Sequence, residues 1–366
     1  MDTPAHPAGA GTPEPSERPE RVAVLGAGSW GTALAISLAA SGHEVALWAR
    51  RDEAAREIAT LRRNAAYLPD AEIPASIHVT SRTAEAVEGA DIWLFAVPSQ
   101  ATRAVAETLA DGVSPETLVV SVAKGIEEGT LRTASGVLRE ALPAAHPDRV
   151  GVLYGPSHAE EVALGKPTNV VVAMPDGAAA ARVQAAFMTP ALRVYTNADL
   201  VGVEIAGSVK NVMALAAGMG DGLGLGDNAK AALVTRGLAE ITRLGLAMGA
   251  DAHTFAGLAG LGDLVVTCFS RHSRNRGFGE RIGQGETVEQ AAAHSTMVVE
   301  GVRTTGAVRE LARRHGVEMP ITEAVGRVLA GELTVRDGVR DLMTRDARDE
   351  AAHLDAAHLH AAPETS

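Results

Sequence analysis

The sequence predicts an α/β doubly wound domain, built on a parallel sheet, followed by a mostly α-helical domain. A glycine-rich turn follows the first apolar run, strand-like and helix-like stretches then alternate, and strand-like runs become scarce from Asp199 onward. Alternating strands and helices favour a parallel sheet covered by helices on both faces. We therefore divide the chain into a disordered extension (1–20), a first domain (21–198), a helical domain (199–343) and a disordered tail (344–366).

The glycine-rich turn lies in residues 22–34, VAVLGAGSWGTAL. Gly26, Gly28 and Gly31 have the G-x-G-x-x-G spacing between an apolar strand and a helix, which is typical of Rossmann-type dinucleotide binding. Gly26 would permit the turn, Gly28 would let a pyrophosphate approach the backbone, and Gly31 would let the helix lie close to its strand. The free N–H groups of the helix then face the anion. The alternative is an ordinary glycine turn.

The residues that follow the next predicted strand, at 44–48, indicate which nicotinamide cofactor the protein prefers. In this fold an acidic residue about 20 positions beyond the glycines usually binds the ribose 2′-hydroxyl, whereas an arginine accommodates a 2′-phosphate. Arg50 and Arg51 stand at this point, and Asp52 and Glu53 follow them. Arg50 therefore favours NADP(H), and NAD(H) stays open.

The rest of the first domain continues the alternation of strands and helices. Strands are expected at 77–80, 91–97, 117–122, 150–153, 169–174 and 192–196, with helices such as 100–110 and 131–142 between them. Ligands of such sheets bind at the carboxyl ends of the strands. The loops at 97–99, 123–125 and 155–158 should therefore line one crevice.

Helical patterns dominate the second domain. They are expected at 200–215, 229–248, 288–292, 304–315 and 321–329. The junction with the first domain is short, so we expect the domains to pack firmly with the active site between them.

Two lysines are candidate functional residues. Lys210 stands in an otherwise apolar helical stretch, where burial and a neighbouring cation would lower its pKa and let it exchange a proton near neutrality. The alternative is a lysine that extends from a core helix to solvent. Lys124 follows the strand at 117–122, where it would hold an anion or polarise a carbonyl, or else be a surface lysine.

Asp263 and Thr267 are spaced i, i+4 and share one face if residues 261–268 are helical. They would then orient Lys210 or the hydroxyls of a substrate; alternatively, Asp263 is only a helix N-cap.

The segment 270–279, SRHSRNRGFG, is the densest basic run of the chain, and we interpret it as a glycine-flanked loop. Arginine beside serine and asparagine suits a phosphate, because charged and neutral donors satisfy its oxygens together. A solvated loop is the ordinary alternative.

Composition limits the partners of the chain. The formal net charge is −12, without a long basic block, which argues against nucleic acid and acidic membranes. The single cysteine, Cys268, excludes an intramolecular disulfide and fits a cytoplasmic protein. We expect no metal site and no stretch long and uncharged enough to span a bilayer.

Seven motifs in order resemble the bacterial NAD(P)-dependent glycerol-3-phosphate dehydrogenase family, over the chain from about residue 21 to residue 342. The motifs are GAGSWGTALA (26–35), VAKGIE (122–127), GPSHAEEV (155–162), GSVKN (207–211), AGLGDLVVTC (259–268), SRNRGFG (273–279) and VVEGVRT (298–304).

The resemblance implies reversible reduction of dihydroxyacetone phosphate to sn-glycerol 3-phosphate with NADP(H) or NAD(H). It further implies that the enzyme is a homodimer and that its product supplies glycerophospholipid synthesis. It makes Lys210 the proton donor or acceptor. It places cofactor contacts at Ser29, Trp30, Arg50, Tyr67, Lys124, Ala159, Arg274, Val298 and Glu300, and substrate contacts at Lys124, Gly155, Ser157, Lys210, Asp263, Ser273, Arg274 and Asn275. The alternatives are a related two-domain dehydrogenase of a carboxylate-bearing hydroxy acid, and a non-catalytic nucleotide sensor.

Overall fold

The computed structural model describes residues 19–294 and 299–347. In the first part of the chain the elements are β1 (Arg21–Leu25), α1 (Ser29–Ala40), β2 (Glu44–Trp48), α2 (Asp52–Leu61), β3 (Arg63–Asn64), β4 (Leu68–Glu72), β5 (His78–Thr80), α3 (Thr83–Val87), β6 (Ile92–Phe95), α4 (Thr102–Glu107), β7 (Leu118–Ser121), α5 (Ala134–Ala141), β8 (Val150–Tyr154), α6 (Ala159–Ala163), β9 (Thr168–Ala173), α7 (Gly177–Phe187) and β10 (Leu192–Asn197).

In its described residues the second part contains helices joined by short connections and no strand. It consists of α8 (Leu200–Gly222), α9 (Asp227–Ala247), α10 (Ala252–Phe255), a π-helical turn (Leu258–Gly262), α11 (Asp263–Phe269), α12 (Arg274–Gly283), α13 (Val288–Ala293), α14 (Glu300–Arg314), α15 (Pro320–Leu329) and α16 (Val335–Met343). This order confirms the predicted fold class. The division of the chain between residues 198 and 199 remains our proposal, and the expected extension and tail lie largely outside the described residues.

The main sheet has eight strands in the order β10-β9-β8-β7-β6-β1-β2-β5. Neighbouring strands are parallel except β8 and β9, which are antiparallel, so β9 and β10 run opposite to the other six. The expectation of a parallel sheet is therefore confirmed for six strands and wrong at the junction of β8 and β9. Strands β6, β7 and β8 remain parallel, and their carboxyl ends lie side by side at one edge of the sheet.

The glycine turn between β1 and α1 has the geometry that its sequence predicts. Gly26 has a φ of +131°, which favours glycine. A Cβ atom at Gly31 would lie 2.0 Å from the carbonyl oxygen of Gly26, so the helix packs directly on the turn. A Cβ at Gly28 would meet no described atom within 4 Å, which leaves the backbone open to a ligand.

Several local predictions differ from the structure. The short antiparallel ribbon of β3 and β4 was not expected, and the helix expected at 131–142 begins only at Ala134, because Leu131 has a left-handed φ of +60°. The segment 270–279 is largely the helix α12 and not a loop. Two of its glycines, Gly277 and Gly279, weaken the helical signal of the sequence.

Helix α8 forms the centre of the helical domain. Two described helical stretches, Leu200–Gly222 and Ala252–Phe269, have the length and apolar composition of membrane spans, contrary to our expectation. For Leu200–Gly222, 89% of the apolar window is buried inside the protein. A helix that is apolar on every side suits the core of a large domain, and surrounding helices cover α8 here.

Glycines bring the backbones of α8 and α12 into direct contact. A Cβ at Gly218 of α8 would lie 1.9 Å from the carbonyl oxygen of Arg276, and one at Gly279 of α12 would lie 2.1 Å from that of Leu215. Gly222 and Gly283 make equivalent approaches one turn further along. This close packing fixes the first residues of α12 beside the middle of α8.

We predict that Gly279→Ala lowers the melting temperature by several degrees, because the added methyl group forces the two helices apart at a cost of about 1–3 kcal/mol. Gly277→Ala is the matched control, since its Cβ would meet no atom of the described residues within 4 Å. It should leave stability unchanged or raise it by about 0.5–1 kcal/mol. Thermal unfolding followed by circular dichroism measures both, and equal losses would contradict the packing argument.

Candidate active site

A cleft of about 690 Å³ lies between the carboxyl edge of the sheet and the helical domain. Most of the predicted site residues line it, from both domains: Gly26, Gly28, Ser29, Trp30, Arg50, Tyr67, Lys124, Ser157, Ala159, Lys210, Asp263, Ser273, Arg274, Asn275 and Glu300. Neither Gly31 nor Gly155 lines the cleft. Gly31 lies in the first turn of α1 and packs against the carbonyl oxygen of Gly26, and Gly155 accepts a hydrogen bond from Lys124 through its own carbonyl oxygen. Val298 lies outside the described residues.

The carboxylate of Asp263 holds two lysines at the floor of the cleft. Lys210 Nζ donates to Asp263 Oδ1 and to Thr267 Oγ1, each at 2.6 Å. Lys124 Nζ donates to Asp263 Oδ2 at 2.6 Å and to the carbonyl oxygen of Gly155 at 3.0 Å. Asp263 and Thr267 therefore share one face of α11, as their spacing predicts. The alternative that Asp263 is only a helix N-cap is wrong, because Gly262 is the N-cap of α11 and the carboxylate of Asp263 binds both ammonium groups.

Burial sets the protonation behaviour of Lys210. Its side chain is only 7% exposed, so the alternative of a lysine extending to solvent is wrong. Burial lowers the pKa of Lys210 to about 8; the charge of Asp263 opposes this shift, and that of Lys124 reinforces it. Burial by itself would raise the pKa of Asp263, yet the two ammonium groups together hold it below its ordinary value. Lys210 is thus a cation that can release its proton near neutral pH.

A chain of amide hydrogen bonds connects four elements beside the lysines. Asn211 Nδ2 donates to the carbonyl oxygen of Lys124 at 3.1 Å, and Asn275 Nδ2 donates to Asn211 Oδ1 at 2.9 Å. The backbone N–H of Gly301 donates to Asn275 Oδ1 at 3.0 Å. The chain fixes the loop after β7 against α8, α12 and α14. Asn211 was not among the predicted site residues, although it belongs to the GSVKN motif.

The beginning of α12 forms a positively charged wall of the cleft. Ser273 is the N-cap of this helix, and its Oγ accepts a hydrogen bond from the backbone N–H of Arg276 at 3.2 Å. Arg274 is exposed at the first helical position, whereas Ser273 and Asn275 are buried on either side of it. The N-terminus of a helix together with a guanidinium group favours an anion. The predicted phosphate segment therefore faces the cleft as a helix start and not as a loop.

The glycine-turn half of the cleft suits a dinucleotide. Ser29 Oγ donates to the carbonyl oxygen of Tyr67 at 2.8 Å, and Arg50 is exposed just beyond the end of β2. The indole Nε1 of Trp30 is buried and has no hydrogen-bond partner within the part of the chain that the structure describes. An open glycine backbone and this donor fit a nicotinamide dinucleotide, which brings oxygen acceptors.

Glu300 forms hydrogen bonds between the two domains at the edge of the dinucleotide half of the cleft. Its carboxylate accepts from the hydroxyl of Ser99 at 2.6 Å and from the backbone N–H of Ser99 at 3.1 Å. Ser99 was not predicted as a site residue, although the loop at 97–99 was expected to line the crevice. The contact holds the start of α14 against the loop after β6.

The glycine turn, the buried lysine and the cationic helix start of one cleft define a two-domain, nicotinamide-dependent dehydrogenase. The chain belongs to the NAD-dependent glycerol-3-phosphate dehydrogenase family. The model for the N-terminus of that family matches residues 21–180, and the model for its C-terminus matches residues 199–340.

Individual relatives agree with this assignment. The chain is 59% identical over 329 residues to glycerol-3-phosphate dehydrogenase [NAD(P)+] 2 of Salinibacter ruber, covering 90% of this chain and 96% of the relative. It is 52% identical to the glycerol-3-phosphate dehydrogenase [NAD(P)+] of Chlorobium phaeobacteroides, covering 91% and 100%. The crystal structure of the Coxiella burnetii glycerol-3-phosphate dehydrogenase is similar with a TM-score of 0.85 and 38% identity, covering 89% and 99%.

Proposed function

We propose that this protein reversibly reduces dihydroxyacetone phosphate to sn-glycerol 3-phosphate with NAD(P)H. The observation that carries the proposal is the buried pair of lysines on Asp263, placed in one cleft with a dinucleotide turn and a cationic helix start. The names of its relatives give the same reaction class. A carboxylate-bearing hydroxy acid is the less supported substrate.

Each part of the cleft has a distinct task in this reaction. A bound nicotinamide cofactor supplies the hydride. The ammonium group of Lys210 donates a proton to the ketone oxygen and takes it back in the reverse direction, while Asp263 and Thr267 hold its Nζ in place. Arg274 and the N-terminus of α12 hold the phosphate of the substrate. Lys124 adds a further positive charge to the same cleft. Orientation of the reactants contributes about 7–11 kcal/mol in favourable cases.

The direct test is oxidation of NADPH and of NADH by the purified full chain with dihydroxyacetone phosphate, and with ketopantoate as the carboxylate comparison. We expect turnover with the phosphorylated ketone only. Turnover of ketopantoate alone would favour a dehydrogenase of carboxylate-bearing hydroxy acids. Binding of NADPH without turnover of either compound would favour a non-catalytic nucleotide sensor.

We propose that Arg50 binds the 2′-phosphate of NADPH. We predict that Arg50→Ala raises KM for NADPH about tenfold, because an ionic hydrogen bond is lost, and leaves KM for NADH within about twofold. Arg63→Ala removes an exposed arginine that does not line the cleft and serves as the control. Equal effects of Arg50→Ala on both cofactors would contradict the proposal.

We predict that Lys210→Met lowers kcat about 10²–10⁴-fold while NADPH still protects the protein against heat, because only the proton donor is removed. In the unmodified protein, kcat/KM for ketone reduction should fall as pH rises through about 8, since the ammonium form of Lys210 is lost there. Glycerol phosphate oxidation should fall as pH drops through the same value, because its base becomes protonated. The exposed Lys166→Met is the control; near-normal kcat in Lys210→Met would exclude the role.

We predict that Arg274→Ala raises KM for dihydroxyacetone phosphate about ten- to a hundredfold, because a charged hydrogen bond to phosphate is lost. Its melting temperature should stay within a few degrees of the unmodified protein. Arg271→Ala is the matched control, an exposed arginine of the same segment that does not line the cleft. Steady-state kinetics measure both variants, and an unchanged KM in Arg274→Ala would count against the phosphate clamp.

We further propose a cytoplasmic homodimer that supplies glycerophospholipid synthesis. The net charge and the single cysteine support the location. The apolar residues Leu261, Val265 and Phe269 are each at least 40% exposed, and their i, i+4, i+8 spacing along the π-helical turn and α11 supports self-association. Light scattering on the purified protein measures the molecular mass and tests the dimer.

A further inference from the structure

His158 lies between two residues that the family resemblance assigns to ligands, Ser157 and Ala159, yet it has no assigned role itself. It follows the loop after β8, immediately precedes α6 and lines the cleft. Its position therefore gives the imidazole ring access to the space in which a ligand would bind.

The imidazole Nε2 of His158 is buried and lacks a hydrogen-bond partner in residues 19–294 and 299–347. Six side-chain atoms share this condition in the described chain, and of these only Nε2 of His158 and Nε1 of Trp30 belong to residues that line the cleft. A buried polar atom without a partner is costly, so such atoms in native proteins usually meet a water or a ligand. Trp30 lies beside the glycine turn in the dinucleotide half of the cleft, whereas His158 lies close to His272 and within the electrostatic influence of Lys210.

The surroundings of His158 indicate which end of the substrate it meets. Its ring packs against that of His272, with ring centroids 5.5 Å apart and an interplanar angle of 51°. His272 directly precedes Ser273 and Arg274, which form the cationic start of α12. His158 therefore lies beside the proposed phosphate position.

The electrostatic environment keeps this imidazole neutral near neutral pH. Burial lowers the pKa of His158, and the charges of Lys210 and His272 lower it further, against the opposing effects of Glu160 and Glu161. A neutral imidazole carries one N–H donor, and a phosphate oxygen accepts such a donor without the imidazole having to gain a proton.

We propose that His158 is a further substrate-binding residue, whose Nε2–H donates a hydrogen bond to a phosphate oxygen of the substrate beside Arg274. The inference rests on the proposed function for the phosphorylated nature of the substrate. Several donors that converge on one anion favour a phosphate monoester, which offers three terminal oxygens, over a carboxylate, which offers two.

Two substitutions separate this contact from mere packing. The side-chain amide of glutamine reaches the position of Nε2, whereas that of asparagine reaches only the position of Nδ1. We expect His158→Asn to raise KM for dihydroxyacetone phosphate about tenfold with kcat nearly unchanged, because binding is lost equally in the ground and transition states. His158→Gln should stay within about threefold of the unmodified protein. Protection against heat by NADPH should persist in both variants and reports that they fold.

Inorganic phosphate provides a probe that does not depend on turnover. It should protect the unmodified protein and His158→Gln against heat, and His158→Asn much less. If the unmodified protein fails to reduce dihydroxyacetone phosphate, the proposed function fails, while the phosphate measurement still tests His158. An unchanged KM with equal phosphate protection in His158→Asn overturns the inference. A loss of kcat at unchanged KM overturns it as well, because His158 would then act on proton transfer.

Discussion

The carboxylate of Asp263, shared between Lys210 and Lys124, is the interaction on which the site depends. Each lysine nitrogen lies 2.6 Å from one of its oxygens. Moving a lone charge from water into a protein interior is strongly unfavourable, so each partner is tolerable in the cleft only because the others are present. The three residues come from the loop after β7, from α8 and from α11. The cluster therefore exists only when the two domains are packed together.

The rest of the architecture holds these elements in register. Glycines let α12 lie directly on α8, so the cationic start of α12 and the lysine of α8 face the same cleft. The amide chain through Asn211 and Asn275 ties both helices to the loop that carries Lys124. Close backbone packing leaves little room for adjustment, because protein interiors are dense and transmit strain. The packing of Gly279 of α12 against α8 therefore contributes to the position of Lys210, the candidate proton donor on α8.

Much of this arrangement could be predicted from local sequence, and the remainder could not for physical reasons. The glycine turn and the shared face of Asp263 and Thr267 follow from spacing within single elements, which backbone geometry fixes. Lys210 could be identified as a candidate from its apolar helical stretch, but its burial depends on the helices packed around α8 and was settled only by the structure. The helix α12 was missed because its glycines lower helix propensity. The reason for glycine at these positions is the close contact with α8, which the sequence of α12 alone does not reveal. Asn211 and His158 were missed because their significance comes from partners far away in the chain, such as Lys124 and His272.

A second buried carboxylate shows why the charge state of the cleft is a property of the fold. Glu204 of α8 is as fully buried as Asp263, and it accepts hydrogen bonds from the hydroxyls of Thr133 and Ser135 and from the backbone N–H of Ser135. Burial raises its pKa, and these neutral donors oppose the shift without reversing it. For Asp263 the two ammonium groups do reverse it. Partners brought by the fold, and not burial alone, keep Asp263 ionised. The negative charge of Asp263 in turn limits how far burial lowers the pKa of Lys210, which stays at about 8.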